Sequence, residues 1–441
     1  MTTAKLLGRR RFLPLFLTQL LNAFNDNLFK NAMVLFVVYQ VYNSESAEAT
    51  FSAVASGLFI LPFFVLSALS GQLADMRDKA AIIRWVKLAE IAIMAVGGAG
   101  LWMAFHGVMD HSVAIALMLV ALTAMGVHST FFGPIKYAIL PQHLHDDEVL
   151  AGTGLVEAGT YIAILAGTIL AGFISAEIAA FFVLGTAVVG WLTSRHVPPA
   201  PPEHDGGAPL AIDYNPVRSS IRLIRDTMHD RQVYYAILAI SFFWTIGAVL
   251  FIQFPPLAKN VLMASKQVAS LFLVIFSIGV ALGSVGVNKL LANQVSARFA
   301  PLSVIAMGAF VGAFWLVAKR WPVATMPDLL DIPAFVAQPL AVPLLLALLL
   351  IAVAGGMFVV PLYAFLTTRV AKSAAARTIA ANNIVNAGAM VAGSLIAVGL
   401  SAAGVPVVDQ LLFTAAMCLV SAWLAGLLLR AERAERADQA I

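Results

Sequence analysis

The sequence predicts an all-α polytopic membrane protein with twelve transmembrane helices in two six-helix pseudo-repeats, and three observations carry that prediction. Apolar residues make up 61% of the 441 and charged residues only 11%, against about 25% charged in soluble domains. Apolar windows of roughly 20 residues, long enough to cross a hydrocarbon core near 30 Å, recur about twelve times. One segment rich in proline and glycine divides these windows six and six.

In chain order, the expected spans are residues 12–41, 51–74, 81–106, 112–134, 149–172, 178–194, 233–254, 268–290, 301–318, 341–366, 377–401 and 406–429. The first resembles a signal peptide, because Lys5, Arg9, Arg10 and Arg11 precede an apolar run. That run is about twice the length of a signal core, so it reads as a retained span. It is also unusually polar: Gln19, Asn22, Asp26 and Lys30 fall along one helical stripe. Asp26 and Lys30 have the i, i+4 spacing of a favourable ion pair. An ionisable side chain at this depth costs a few kcal/mol or more, so the stripe is expected to face a partner or a water-filled cavity. It reads as a binding or coupling surface, or else as a neutralised pair that fixes helix packing.

With the N-terminus inside, 22 of the 27 Lys and Arg residues fall on the inner side. Both termini are therefore expected in the cytoplasm. The same count places Lys87 with Arg84 at the inner end of the third span. Because topology accounts for the net charge of +4, nucleic acid is not implied as a partner. Cys418 is the only cysteine, which excludes an intrachain disulfide and a thiolate metal cluster.

The dividing segment runs from Pro198 to Pro216 and reads as a linker. Arg218, Ile221, Arg222, Ile224, Arg225, Met228 and Arg231 follow it, with the spacing of a short basic amphipathic helix on the inner membrane surface or of a solvated connector. The expected organisation is a first bundle over 1–195, a linker over 196–231, a second bundle over 232–430 and a cytoplasmic tail over 431–441. The bundles look related: Phe131-Phe-Gly-Pro-Ile-Lys-Tyr-Ala-Ile-Leu140 at the end of span four resembles Phe358-Val-Val-Pro-Leu-Tyr-Ala-Phe-Leu366 in span ten, with one residue of gap. Leu155-Val-Glu-Ala-Gly159 in span five parallels Ile384-Val-Asn-Ala-Gly388 in span eleven. Two such repeats are the expected build of a rocking transporter with its site near mid-membrane.

After span two comes Gly71-Gln-Leu-Ala-Asp75-Met-Arg77-Asp78-Lys79, which resembles the loop signature of the major facilitator superfamily. Gly71 would let two helices approach closely, and Asp75 would pair with Arg77 or cap a helix N-terminus exposed in one conformation only. Together with Lys79, these residues form the expected gating loop. Ala23-Phe-Asn-Asp-Asn27, Gly133-Pro-Ile-Lys136, Gly154-Leu-Val-Glu157, Ser241-Phe-Phe-Trp244 and Gly355-Gly-Met-Phe-Val-Val-Pro-Leu362 further resemble the bacterial lysophospholipid transporter family. Phe24-Asn-Asp-Asn-Leu-Phe-Lys30 is similar to the transporter modules of acyltransferase fusions. The chain lacks the acyltransferase signature, in which His is followed at the fifth position by Asp. It is thus expected not to be an enzyme, and a separate acyltransferase is an expected partner. Phe251 departs from related transporters, which can place a basic residue there.

The resemblance implies movement of lysophospholipid from the outer to the inner leaflet of a bacterial inner membrane by alternating access. The alternative is proton-coupled efflux of drugs or small metabolites. A lysolipid phosphate needs a cation, its amine suits a carboxylate, and its acyl chain needs an apolar groove. Asn22, Asp26, Lys30, Lys136, Glu157 and Asn386 are the candidate binding or coupling residues, and Phe242, Phe243, Trp244 and Phe254 could line the groove. Glu157 reads equally as a structural partner for a lysine, Lys136 as a snorkelling lysine and Asn386 as a helix-packing amide. No cofactor is expected, and the coupling ion is left open. His143, His145, Asp146, Asp147 and Glu148 resemble a metal cluster but are better explained as a helix start, where acids cap the N-terminus. His128 reads as a hydrogen-bonded interior histidine.

Overall fold

A computed structural model describes residues 3–41, 45–202, 212–292, 294–322 and 329–438. Its helices are α1 (Leu13–Phe36), α2 (Glu45–Met76), α3 (Lys79–Phe105), α4 (His111–Ala138), α5 (Leu140–His143), α6 (Asp146–Phe173), α7 (Ala176–Ser194) and α8 (Pro216–Thr227). They continue with α9 (Arg231–Asn260), α10 (Lys266–Leu290), α11 (Ala300–Lys319), α12 (Ile332–Val336), α13 (Ala341–Arg369), α14 (Ala375–Ala402) and α15 (Val407–Asp438). Among the described residues, 11 helices are long and apolar enough to cross a membrane. The exception among the long helices is α1, where the polar stripe dilutes the apolar run. At 24 residues it is still about 36 Å long, enough to span.

The helices group into two compact units. The first comprises Met1–Gly152, Gly159–Asp226 and Val370–Ile384, and the second Thr153–Ala158, Thr227–Arg369 and Val385–Ile441. In the first, α2 packs on α4, α4 on α3, α3 on α7 and α7 on α1. In the second, α10 packs on α13, α13 on α11, α11 on α15 and α15 on α9. Numbered within each set of six long helices, the order of neighbours is the same. Pro134 and Pro361, the prolines of the matching sequence segments, both lie inside their helices.

Helix starts follow local chemistry. Asp78 caps α3 by accepting from the Ala80 amide at 2.8 Å, and Asp110 caps α4 by accepting from the Ser112 amide at 2.8 Å. The acidic turn at α6 acts as a cap: Glu148 accepts from the His145 amide at 3.0 Å and pairs with Arg11 at 2.6 Å. Two segments gain detail. The linker begins docked, since the Ala200 amide donates to Asp78 at 3.0 Å and the Lys79 amide donates to the Ala200 carbonyl at 3.0 Å; its residues 203–211 lie outside the described set. Residues 431–438 continue α15, held by Glu432, which is buried and accepts from the Ala297 amide at 3.0 Å. Residues 439–441 are not described.

Candidate substrate site

A helix that buries polar side chains must find hydrogen-bond partners for them, and α1 finds them on α3, α4, α6 and α7. Thr18, Gln19, Asn22, Asn25 and Asp26 all face inward on α1. On α3, Lys87 and Glu90 form a fully buried i, i+3 ion pair. From this pair a closed ring of polar contacts runs through the first unit. The Lys87 ammonium donates to Asn22 Oδ1 at 3.3 Å, and Asn22 Nδ2 donates to Asp26 Oδ2 at 3.1 Å. Ser129 on α4 donates to the same Asp26 oxygen at 2.6 Å and lies 3.4 Å from His128 Nδ1. His128 Nε2 completes the ring 3.4 Å from Glu90 Oε2, and Asn25 Nδ2 joins it by donating to Glu90 Oε1 at 2.7 Å.

Lys87 and Glu90 compensate each other, which leaves the Asp26 carboxyl as the acid of the ring with no lysine or arginine paired to it. Its Oδ1 is buried and has no hydrogen-bond partner among the described residues. A carboxylate oxygen left open in this way is suited to a ligand donor, such as an ammonium. Lys30 does not supply it, contrary to the i, i+4 reading. Its ammonium instead lies 5.7 Å from the centre of the Phe59 ring on α2, where the aromatic face offers an alternative to an ion pair.

The other expected residues fall elsewhere. Lys136 donates to Thr160 on α6 at 3.5 Å and sits 4.9 Å from the Tyr137 ring centre. Thr160 donates in turn to Gln19 at 2.9 Å, linking Lys136 to the α1 stripe one turn from Asn22. Glu157 is buried in the second unit. Asn386, also in that unit, accepts from Ser241 at 2.7 Å and serves there as a helix-packing amide. Phe243 and Phe254 are core residues and not groove lining: Phe254 is 1% exposed and packs against Phe251 and Phe272. Trp244 is anchored by donating to the Tyr363 hydroxyl at 2.8 Å.

The loop after α2 departs from the expected pairing in an informative way. Asp75 does not pair with Arg77, which is exposed; it caps α14. It accepts from the amides of Ala376 and Arg377 at 3.0 and 3.1 Å and from Arg377 Nε at 2.9 Å. Gly71 makes the approach possible, because a Cβ there would lie 2.7 Å from Ala380 Cβ and 2.9 Å from Arg377 Cα. Lys79 is fully buried at the α3 start.

Sequence reasoning missed Lys87 and Glu90. Lys87 was counted as a flanking cytoplasmic charge, whereas it is 0% exposed beside α7. Gly190 leaves room for it, since a Cβ at that position would lie 2.9 Å from Lys87 Cε. The available signal was an acid and a base three residues apart within an otherwise apolar window.

Curated relatives cover most of the chain. Proteins named "Lysophospholipid transporter LplT" from Serratia proteamaculans (strain 568) and Klebsiella pneumoniae (strain 342) are 24% and 25% identical over 380 and 368 residues. Those matches cover 83% and 81% of this chain, and 82% and 80% of the relatives. Among solved structures, a bacterial homologue of the iron transporter ferroportin in an outward-facing state aligns with TM-score 0.68 at 14% identity, covering 96% of this chain and 99% of that one. The Major Facilitator Superfamily transporter FucP in the outward conformation aligns with TM-score 0.65 at 13% identity, covering 95% of this chain and 99% of that one. These likenesses establish the fold. The family model described as Major Facilitator Superfamily matches residues 15–336, and the chain belongs to that superfamily of transporters.

Proposed function

We propose that this transporter carries lysophospholipid from the outer to the inner leaflet of a bacterial inner membrane by alternating access, with both termini in the cytoplasm. The observation that carries the reading is that relatives named lysophospholipid transporters match over about four-fifths of both chains. The chemistry of the α1 ring supports it. The open Asp26 oxygen would take the head-group amine, and Lys30, with no ion-pair partner among the described residues, would take the phosphate. Asp75 and Gly71 would stabilise one end state of the cycle through their contact with α14. A separate acyltransferase would then consume the delivered lysolipid.

The test is transbilayer movement of labelled lysophosphatidylethanolamine in vesicles. Asp26→Asn keeps the shape of the side chain and removes its charge. It is expected to slow movement about tenfold or more, as loss of a charge-assisted hydrogen bond of about 1.5–3 kcal/mol requires. A wild type that moves no lysolipid overturns the substrate, and a fully active variant overturns the role of Asp26.

The ring favours one second reading, proton-coupled efflux, because Asp26, Glu90 and His128 are buried ionisable groups in contact sequence. Lysolipid movement and pH-driven dye efflux measured in the same vesicles separate the two.

A further inference from the structure

The first unit carries a second charged feature that the transport reading leaves unused. Helix α8 is seated by one face only. Ser219 and Leu223 are buried, and Leu223 with Ile224 packs against Ala68 of α2 and Ala380, Ala381 and Ile384 of α14. Its opposite face lines a groove of about 480 Å³ formed by Asn215, Val217, Arg218, Ile221, Arg222 and Arg225. At 100° per residue, Val217 and Ile221 form one flank of that face and Arg218, Arg222 and Arg225 the other.

We propose that this face is a binding site for the anionic phospholipid surface of the surrounding membrane, distinct from the transported molecule. Charge complementarity selects the occupant: three arginines project outward at 72%, 64% and 78% side-chain exposure and fit lipid phosphates. The flank selects it further. Val217 and Ile221 are 67% and 64% exposed, and a free phosphate would leave both in water, whereas a lipid surface covers the aliphatic and cationic flanks together. Tyr214, 74% exposed just before the helix, adds a side chain of the kind enriched at membrane–water interfaces. The helix is packed on two helices apolar enough to cross a membrane.

Two carboxylates compete for the arginines. Asp213 accepts from Arg218 at 2.8 Å, and Asp226 lies 3.5 Å from Arg222 and 3.3 Å from Arg225. The Arg218 hydrogen bond holds Asp213 below the usual carboxylate range, so it stays ionised. These pairs are exposed and weak, and each arginine retains donors for a phosphate.

The experiment is hydrogen exchange of the peptide covering residues 214–227 in the full chain, reconstituted in lipid nanodiscs. Neutral phosphatidylcholine is compared with discs in which about a third is phosphatidylglycerol. Each basic residue near an anionic surface gains roughly fivefold in affinity, so even with competition exchange is expected to slow about tenfold. The slowing is expected to vanish in the triple variant Arg218→Gln, Arg222→Gln, Arg225→Gln and to persist in the corresponding triple lysine variant, which preserves charge if glutamine loosens the helix. Equal exchange in both discs, or slowing that survives in the glutamine variant, overturns the proposal. So does inorganic phosphate reproducing the slowing in neutral discs, or slowing that follows the number of protein copies per disc, which would assign the face to a second copy. The inference does not depend on what the transporter carries.

Discussion

Glu90→Gln is expected to lower the stability of the protein by about 3–5 kcal/mol, the cost of leaving one member of a buried ion pair without its partner. Lys87 would keep its place between α3 and α7 with Asn22 Oδ1 as its acceptor and with no counter-charge within the pair. His128 would lose its carboxylate neighbour as well. The diagnostic comparison is the double variant Lys87→Met, Glu90→Gln, because an apolar chain of similar length can fill the slot beside Gly190 and neither member of the pair is then left charged without the other. The double variant is therefore expected to be more stable than the single one, an inversion that simple loss of contacts does not produce. Thermal unfolding of the purified protein in one detergent reads all three. A double variant no more stable than Glu90→Gln would mean that the two charges do not compensate each other.

Gly71→Ala is expected to abolish the contact between α2 and α14 as it stands. The added methyl would lie 2.9 Å from Arg377 Cα, a backbone atom that moves only if the start of α14 moves with it. Asp75 would then lose hydrogen bonds from two amides and one guanidinium. Removal of about 1.5–3 kcal/mol of charge-assisted bonding shifts a two-state equilibrium roughly ten- to a hundredfold. Spin labels at Arg77→Cys and Ala371→Cys, both exposed positions in the first unit, are expected to show a single short distance in the parent and a longer, broader distribution in Gly71→Ala. Asp75→Asn should move the distribution in the same direction by less, since it retains one acceptor oxygen. An unchanged distribution in both variants would show that these contacts do not hold α14.

Hydropathy made the helices legible because the bilayer imposes one length and one solvent on each of them. The polar stripe of α1 was legible for the same reason, since Asn22 and Asp26 stand out in an apolar window. What they touch was not. Ser129 is 103 residues from Asp26 and Arg377 is 302 residues from Asp75, and local spacing carries no information about either pairing. It suggested Lys30 and Arg77 because they were near in sequence. Lys87 was hidden by a different effect: near a helix end, a lysine that snorkels and a lysine buried against a glutamate look alike until the depth of the helix is known. Glu157 lies in the stretch expected as the first bundle, yet Thr153–Ala158 of α6 groups with the second unit, whereas Asn386 falls in the second unit; hydropathy carries no mark of where a helix is divided.

The ring that joins α1 to α3 and α4 also bears on how the chain is made. On insertion scales an aspartate or lysine near the middle of a helix opposes entry into lipid by about 3 kcal/mol, and α1 carries one of each. The ribosome must add 103 residues after Asp26 to reach Ser129, a wait of about 5–20 s at ordinary synthesis rates, before the last member of the ring exists. During that interval the leading helix is the least lipid-compatible of the set, and it settles only when later helices arrive to shelter it.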